Sequence, residues 1–262
     1  MASNSTHPHI ELTNHPIGDD DFAARCRDQL EADGALILRS FFTREAIERA
    51  AAESAELESS AFYSNAKHNV YLTATDPDLP DDHPFNRPVM SNKGLIADDL
   101  IAEDSPIREI YEDPQFRSFL GRVLGLDNVY PYPDKLSSIV ISVAGDGMEL
   151  GWHFDTSASS VTMLLQAPED GGVFEYVPDV RDADAGDMAF GNVDRVLDGD
   201  EPVRTLDFSP GDLVLFRGRN ALHRVTPVSG TTTRSLVIFA FNERPDASMT
   251  EAALETFFGR TA

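Results

Sequence analysis

After Tyr130 the chain is written in short apolar runs: SSIVISVAG, SSVTMLLQA, GGVFEYV, DLVLFRG and TRSLVIFAF, each rich in β-branched or aromatic residues and separated by Gly, Pro or Asp. Runs this short, repeated with turn residues between them, specify an all-β sandwich or barrel. The earlier part has a different texture. Phe22, Cys26 and Leu30 recur every four residues ahead of Gly34, which predicts a short amphipathic helix. ALILRSFF then reads as a strand, Thr43 as the cap of an Ala-rich helix through Ala55, and Asp113-Pro114 as the opening of a helix that runs to about Gly125. The expected chain is a mobile N-terminal tail over 1–18 and one domain over 19–262. That domain has a helical part at 19–126 and a β core at about 127–244. Residues 60–93 hold several prolines and no sustained period, and they read as a lid-like loop.

Composition excludes some functions. A formal net charge of −24 repels phosphate backbones and anionic membrane surfaces, so neither nucleic acid nor membrane is an expected partner. No apolar run approaches the ~18 residues of a spanning helix, and the N-terminus lacks the order of a signal peptide. One cysteine, Cys26, leaves no intrachain disulfide and fits a reducing, cytoplasmic location; it reads as a core residue. The pair Gly171-Gly172 reads as a turn between strands and not as a phosphate cradle, since no Lys-Ser/Thr follows.

The chemistry concentrates in GWHFDTS. His153 and Asp155 are two apart, and on a strand they project from one face. Of seven histidines, His7, His9 and His15 lie in the tail and His68 and His83 in the lid-like stretch, which leaves His223 in NALHRVTPV as the third donor. Two imidazoles and a carboxylate on one triangular face are the arrangement of non-haem iron(II) oxygenases, although zinc takes similar donors. Arg234 opens the next apolar strand; if it points inward, its planar fork suits a carboxylate of a dicarboxylic co-substrate. Trp152, one residue before the first ligand, is turned away from the metal face by strand alternation.

The order His-x-Asp, the turn Pro210-Gly211-Asp212, a distal His and then an Arg resembles the iron(II)/2-oxoglutarate-dependent oxygenase superfamily over roughly residues 130–243. GWHFDTSASSVTMLLQAPEDGGVFEYVP is more narrowly similar to the bacterial branch of free-lysine halogenases and related amino-acid hydroxylases. The resemblance implies a double-stranded β-helix core (jelly-roll, cupin-like) with Fe(2+) held by His153, Asp155 and His223. It also implies 2-oxoglutarate anchored by Arg234, and O2 as oxidant. It implies oxidation of an unactivated C–H bond in a free amino acid or amino-acid-like small molecule, with release of succinate and CO2. Halogenases of that branch carry glycine in place of the carboxylate; Asp155 therefore implies a hydroxylase.

Substrate contacts are expected from Arg87, Asn92, Lys93 and Thr156, with Glu243 as a partner for a substrate ammonium. Other readings stay open at this point: a lipid, terpenoid or peptidyl substrate on the same chemistry, or a redox-silent cupin-like barrel that only holds an ion.

Overall fold

A computed structural model describes residues 7–262. Six α-helices lie among them: α1 (Asp20–Asp33), α2 (Arg44–Leu57), α3 (Pro106–Glu112), α4 (Pro114–Leu124), α5 (Phe190–Asp198) and α6 (Glu251–Phe258). Their ends follow from side-chain chemistry. The Asp19, Thr43, Ser105, Asp113 and Thr250 side chains accept hydrogen bonds from backbone N–H groups of the first turns of α1, α2, α3, α4 and α6. Pro106 and Pro114 occupy first-turn positions, where no backbone N–H is required. Both α1 and α4 stop at a glycine in the left-handed conformation, Gly34 and Gly125.

The strands are β1 (Ala35–Leu38), β2 (Phe62–His68), β3 (Val89–Ile96), β4 (Ile139–Ala144), β5 (Glu149–His153), β6 (Ser160–Gln166), β7 (Asp170–Gly171), β8 (Phe174–Val177), β9 (Arg204–Leu206), β10 (Leu213–Phe216), β11 (Leu222–Val225), β12 (Val228–Ser229) and β13 (Arg234–Phe239). They pair antiparallel in the order β1-β10-β6-β13-β4-β3-β5-β11-β8-β9, with β2 beside β3 and a small β7–β12 ribbon apart. The sheet curls into the jelly-roll architecture expected from the sequence. β3 is its seam, because Gly94–Ile96 pair with β4 while Ser91 and Asn92 pair with β5.

Strand alternation divides the larger leaf into two faces. Ile139, Ile141, Val161, Met163, Leu213, Leu215, Val237 and Phe239 point outward and form the main core with Phe41, Phe116, Phe119 and Leu120 of the helical layer. The alternate residues Ser142, Thr162, Val214, Phe216, Arg234 and Leu236 line an internal chamber. A second core, built on Val70, Tyr71, Trp152, Phe154 and Val193, packs the loop after β2 and helix α5 against the smaller leaf.

Three expectations need correction. Residues 7–18 are not a mobile tail: Ile10 bridges Phe42, Ile17 is fully buried, and His15 Nε2 bonds the carbonyl of Arg39 at 2.9 Å. His9 is tied to Glu109. The few apolar residues of this segment suffice because each finds a core position; residues 1–6 of the expected tail lie outside the described residues. Nor is 60–93 one irregular loop, since both its ends are strands and 69–88 alone joins them. Its pattern fails as strand sequence because most β2 residues are exposed and none is fully buried, while β3 turns Ser91 and Lys93 into cavities. The strand read as ALILRSFF stops at Leu38, where Ser40 adopts a left-handed conformation and Phe41 and Phe42 drop into the core.

Candidate metal centre and its two chambers

His153 and His223 are directly opposed across β5 and β11, so sheet register alone brings their rings to a centroid separation of 4.1 Å. Asp155 lies just past the end of β5, where its backbone N–H donates to the carbonyl of Gly218 at 3.1 Å. Its Oδ1 stands 3.4 Å from His223 Nε2 and 3.7 Å from His153 Nε2, and one donor atom from each residue lies within 4.8 Å of the others. The other ring nitrogens are already engaged: His153 Nδ1 donates to the carbonyl of Gly151 at 2.8 Å and His223 Nδ1 to that of Ala221 at 3.0 Å. That fixes the tautomer that leaves both Nε2 lone pairs free for a metal.

The electrostatics agree with a site made for a cation. Burial, reinforced by His223, pushes the His153 imidazole down to about 3, against the opposing pull of Asp155. Burial alone would raise Asp155, yet the combined pull of His223, His153 and Lys93 holds its carboxyl below the usual range. Both groups therefore stand in their ligating forms at neutral pH. Asp155 Oδ1 faces both Nε2 atoms, while Oδ2 is buried against Gly218 without a hydrogen-bond partner among the described residues. A Cβ built on Gly218 would fall 2.0 Å from that oxygen, so only glycine admits the carboxylate there. The donor set fits a ferrous ion with open positions.

Phe174 stacks on the His223 ring at 5.5 Å and Phe216 meets its edge at 5.0 Å. Behind these rings lies the internal chamber, about 240 Å³, with Arg234 in its wall. Arg234 is 7% exposed and, among the described residues, has no carboxylate partner. Burial lowers its guanidinium to about 10, which leaves it charged at neutral pH. Gly172, at φ +61°, makes room for it: an added Cβ would lie 2.9 Å from Arg234 Cδ. A buried, unpaired guanidinium in the wall of a chamber calls for an anionic ligand.

A second, outer chamber of about 790 Å³ opens on the other side of the metal donors and shares Lys93, Leu150, His153, Asp155 and Ser157 with the inner one. Its walls come from β2, the loop after it, the end of β5, and Thr256 and Phe257 of α6.

Of the residues expected at the substrate, Lys93 and Thr156 line this chamber. The others serve elsewhere. Arg87 pairs with Asp194 at 3.1 Å and Asp198 at 2.8 Å and so clamps the loop to α5. The Asn92 Oδ1 accepts from the Glu149 N–H at 2.7 Å, and Glu243 lines neither chamber. His68 lines the outer chamber and bonds Ser91 Oγ at 2.7 Å, whereas His83 packs on Phe190. Trp152 is turned outward as expected, under the Arg224 guanidinium. Gly218, Gly172, Phe174, Phe216 and α6 were not foreseen as parts of the site. The run TEAALETFFG carried a readable capped-helix signal, but nothing local tied it to a cavity.

A family model described as Halogenase D matches residues 18–258. No curated protein matches the chain. Among solved structures, an oxidoreductase of the 2OG-Fe(II) oxygenase family from Burkholderia pseudomallei is similar at 15% identity over 86% of this chain and 93% of that one, TM-score 0.55. The non-haem α-ketoglutarate-dependent epimerase SnoN from nogalamycin biosynthesis is similar at 16% identity, over 84% and 83%, TM-score 0.57. A prolyl-4-hydroxylase of Pseudomonas putida is similar at 13% identity, over 83% and 98%, TM-score 0.51. These likenesses concern the fold.

Proposed function

The chain belongs to the Halogenase D family, and from that premise we propose that it is an iron(II)- and 2-oxoglutarate-dependent oxygenase that hydroxylates an unactivated C–H bond of an amino-acid-like small molecule. The observation that carries this reading is the junction of a His153–Asp155–His223 donor set with a chamber whose wall holds the unpaired Arg234. When bound, iron, 2-oxoglutarate and dioxygen together supply a two-electron oxidation: the co-substrate becomes succinate and CO2, and one oxygen atom enters the substrate C–H bond.

The chain's own residues do the positioning. His153, Asp155 and His223 would hold the metal, and His153 and Asp155 line both chambers. Arg234 takes the distal carboxylate of the co-substrate by a charge-assisted pair, and the apolar walls around it exclude water. The outer chamber would receive the substrate, leaving the chamber around Arg234 to the co-substrate.

Asp155 separates oxygen insertion from halogenation. Its carboxylate fills the space between both imidazoles and the backbone of Gly218, and that space is where a halide would need to stand.

Anaerobic titration of iron(II) and 2-oxoglutarate into the apo-protein tests the reading. A weak visible charge-transfer band is expected, requiring at least about tenfold more co-substrate in Arg234→Ala. Absence of the band from wild-type protein that still binds iron would refute it.

A further inference from the structure

In a chain of net charge −24, the outer chamber is lined by two lysines and by no acidic side chain except the metal ligand Asp155. Lys67 stands exposed on β2 at the rim; Lys93 is inside. Glu149 lines the inner chamber only. Lys93 sits on the seam strand between the residues that pair with each leaf, Asn92 with β5 and Gly94 with β4. That position delivers its side chain to both chambers beside the metal donors. Lys93 is half-buried, lines both chambers and, among the described residues, has neither a hydrogen bond nor an ion pair, so its ammonium is free to take an anionic ligand in the chamber. The other polar groups of the outer chamber include the amides of Asn65, Asn69 and Asn86, the hydroxyls of Thr73, Thr75 and Thr156, and the imidazole of His68, and none of them is a carboxylate.

We infer that the substrate is an acid whose carboxylate is held by Lys93, and that it presents no free ammonium group to the chamber. A carboxylate on Lys93 supplies the missing partner by a charge-assisted hydrogen bond and orients the rest of the molecule past the metal. An α-ammonium would enter a chamber that offers it two cations and no free carboxylate. Glu243, the group expected from sequence to meet an ammonium, is outside. The chemical class is therefore an N-blocked amino acid or another simple carboxylic acid. This inference rests on the oxygenase reading, because it assigns the inner chamber and Arg234 to the co-substrate.

The test uses protein loaded anaerobically with iron(II) and 2-oxoglutarate. Binding of matched probes is followed by calorimetry and by perturbation of the visible band: N-acetyl-L-leucine against N-acetyl-L-leucinamide, hexanoate against hexanamide, and L-leucine against L-lysine. At least one acid is expected to bind at least about tenfold more tightly than its amide and than either free amino acid, a preference erased in Lys93→Gln and kept in Lys93→Arg. Because Lys93 also reaches the inner chamber, affinity for 2-oxoglutarate is expected to fall in Lys93→Gln, but by much less than in Arg234→Ala. The inference is overturned if no acid binds, if acids and amides bind alike, or if Lys93→Gln weakens 2-oxoglutarate as severely as Arg234→Ala does. Loss of the band from the wild type would instead strike at the oxygenase reading itself.

Discussion

Two glycines set the geometry of two charged groups, and they separate experimentally. Gly218 gives Asp155 Oδ2 its place, and Gly172 gives Arg234 Cδ its place. Gly218→Ala is expected to displace the carboxylate and weaken iron(II) binding by at least about tenfold, in the range seen when groups supporting a metal ligand are removed. Gly172→Ala is expected to leave iron binding intact and weaken 2-oxoglutarate, with a further cost of about 1 kcal/mol because its φ is positive. Competition with a metal-sensitive dye reads the first effect and the charge-transfer titration the second. Equal loss of both affinities in both variants would mean general damage and not two separate supports. The apo-protein should also be acid-sensitive. The folded value of His153, about 3, lies below its ordinary 6.5, so between those values the unfolded chain binds a proton that the folded chain does not. Stability of the apo-protein is fully present above about pH 6.5 and falls as the pH drops toward 3, by on the order of 2 kcal/mol at pH 5. Thermal melts of metal-free wild type and His153→Gln at pH 7.5 and 5.0 check this; the variant should lose less.

At the scale of elements, the loop between β2 and β3 is a built wall. Asn69 is buried, its Nδ2 donates to the carbonyls of Thr73 at 3.0 Å and Phe85 at 2.8 Å, and its Oδ1 accepts from the Tyr71 N–H at 3.0 Å. Asn86 spans the same loop from the other end, with Nδ2 donating to Asp76 and Leu79 carbonyls and Oδ1 accepting from the Asp76 N–H. Asn69→Ala leaves several buried backbone groups unpaired and is expected to cost about 2–3 kcal/mol, with faster proteolysis between residues 70 and 88. Unchanged protease sensitivity would show that the second core under Tyr71 holds the loop without it. The same loop shows where sequence reasoning reaches its limit. Runs such as TRSLVIFAF announced their strands because one face is continuously buried, and the caps at Thr43 and Asp113 announced theirs by local chemistry. The donors His153, Asp155 and His223 were legible because histidines are few and the His-x-Asp spacing suits one strand face. β2 and β3 were not legible, since one faces solvent and the other carries Ser, Asn and Lys into a cavity, so neither shows the alternation that marks a strand. Arg87 was misplaced for a related reason: its partners, Asp194 and Asp198, are more than a hundred residues away, and no local pattern distinguishes a clamp from a ligand.

The whole molecule sets a long-range field that opposes its own site. Lys93 and Arg234 attract anions within the chambers, but an approaching dianion such as 2-oxoglutarate first meets a chain of net charge −24. Outside the mouth the repulsion dominates, because it sums over the surface, whereas the two cations of the chambers act at short range behind low-dielectric walls. Salt screens the distant charges first, with a Debye length of roughly 30 Å at 0.01 M falling to about 8 Å at 0.15 M. The association rate of 2-oxoglutarate should therefore rise with ionic strength, by about two- to tenfold between those concentrations, the reverse of the behaviour of an anion steered into a basic protein. The dissociation rate, governed by the screened interior, should change much less. Stopped-flow formation of the charge-transfer band in an inert salt measures the first, and displacement by excess N-oxalylglycine the second. An association rate that falls with salt would place the controlling field at the mouth, with Lys67 and Lys93 outweighing the acidic surface at the distance where capture is decided.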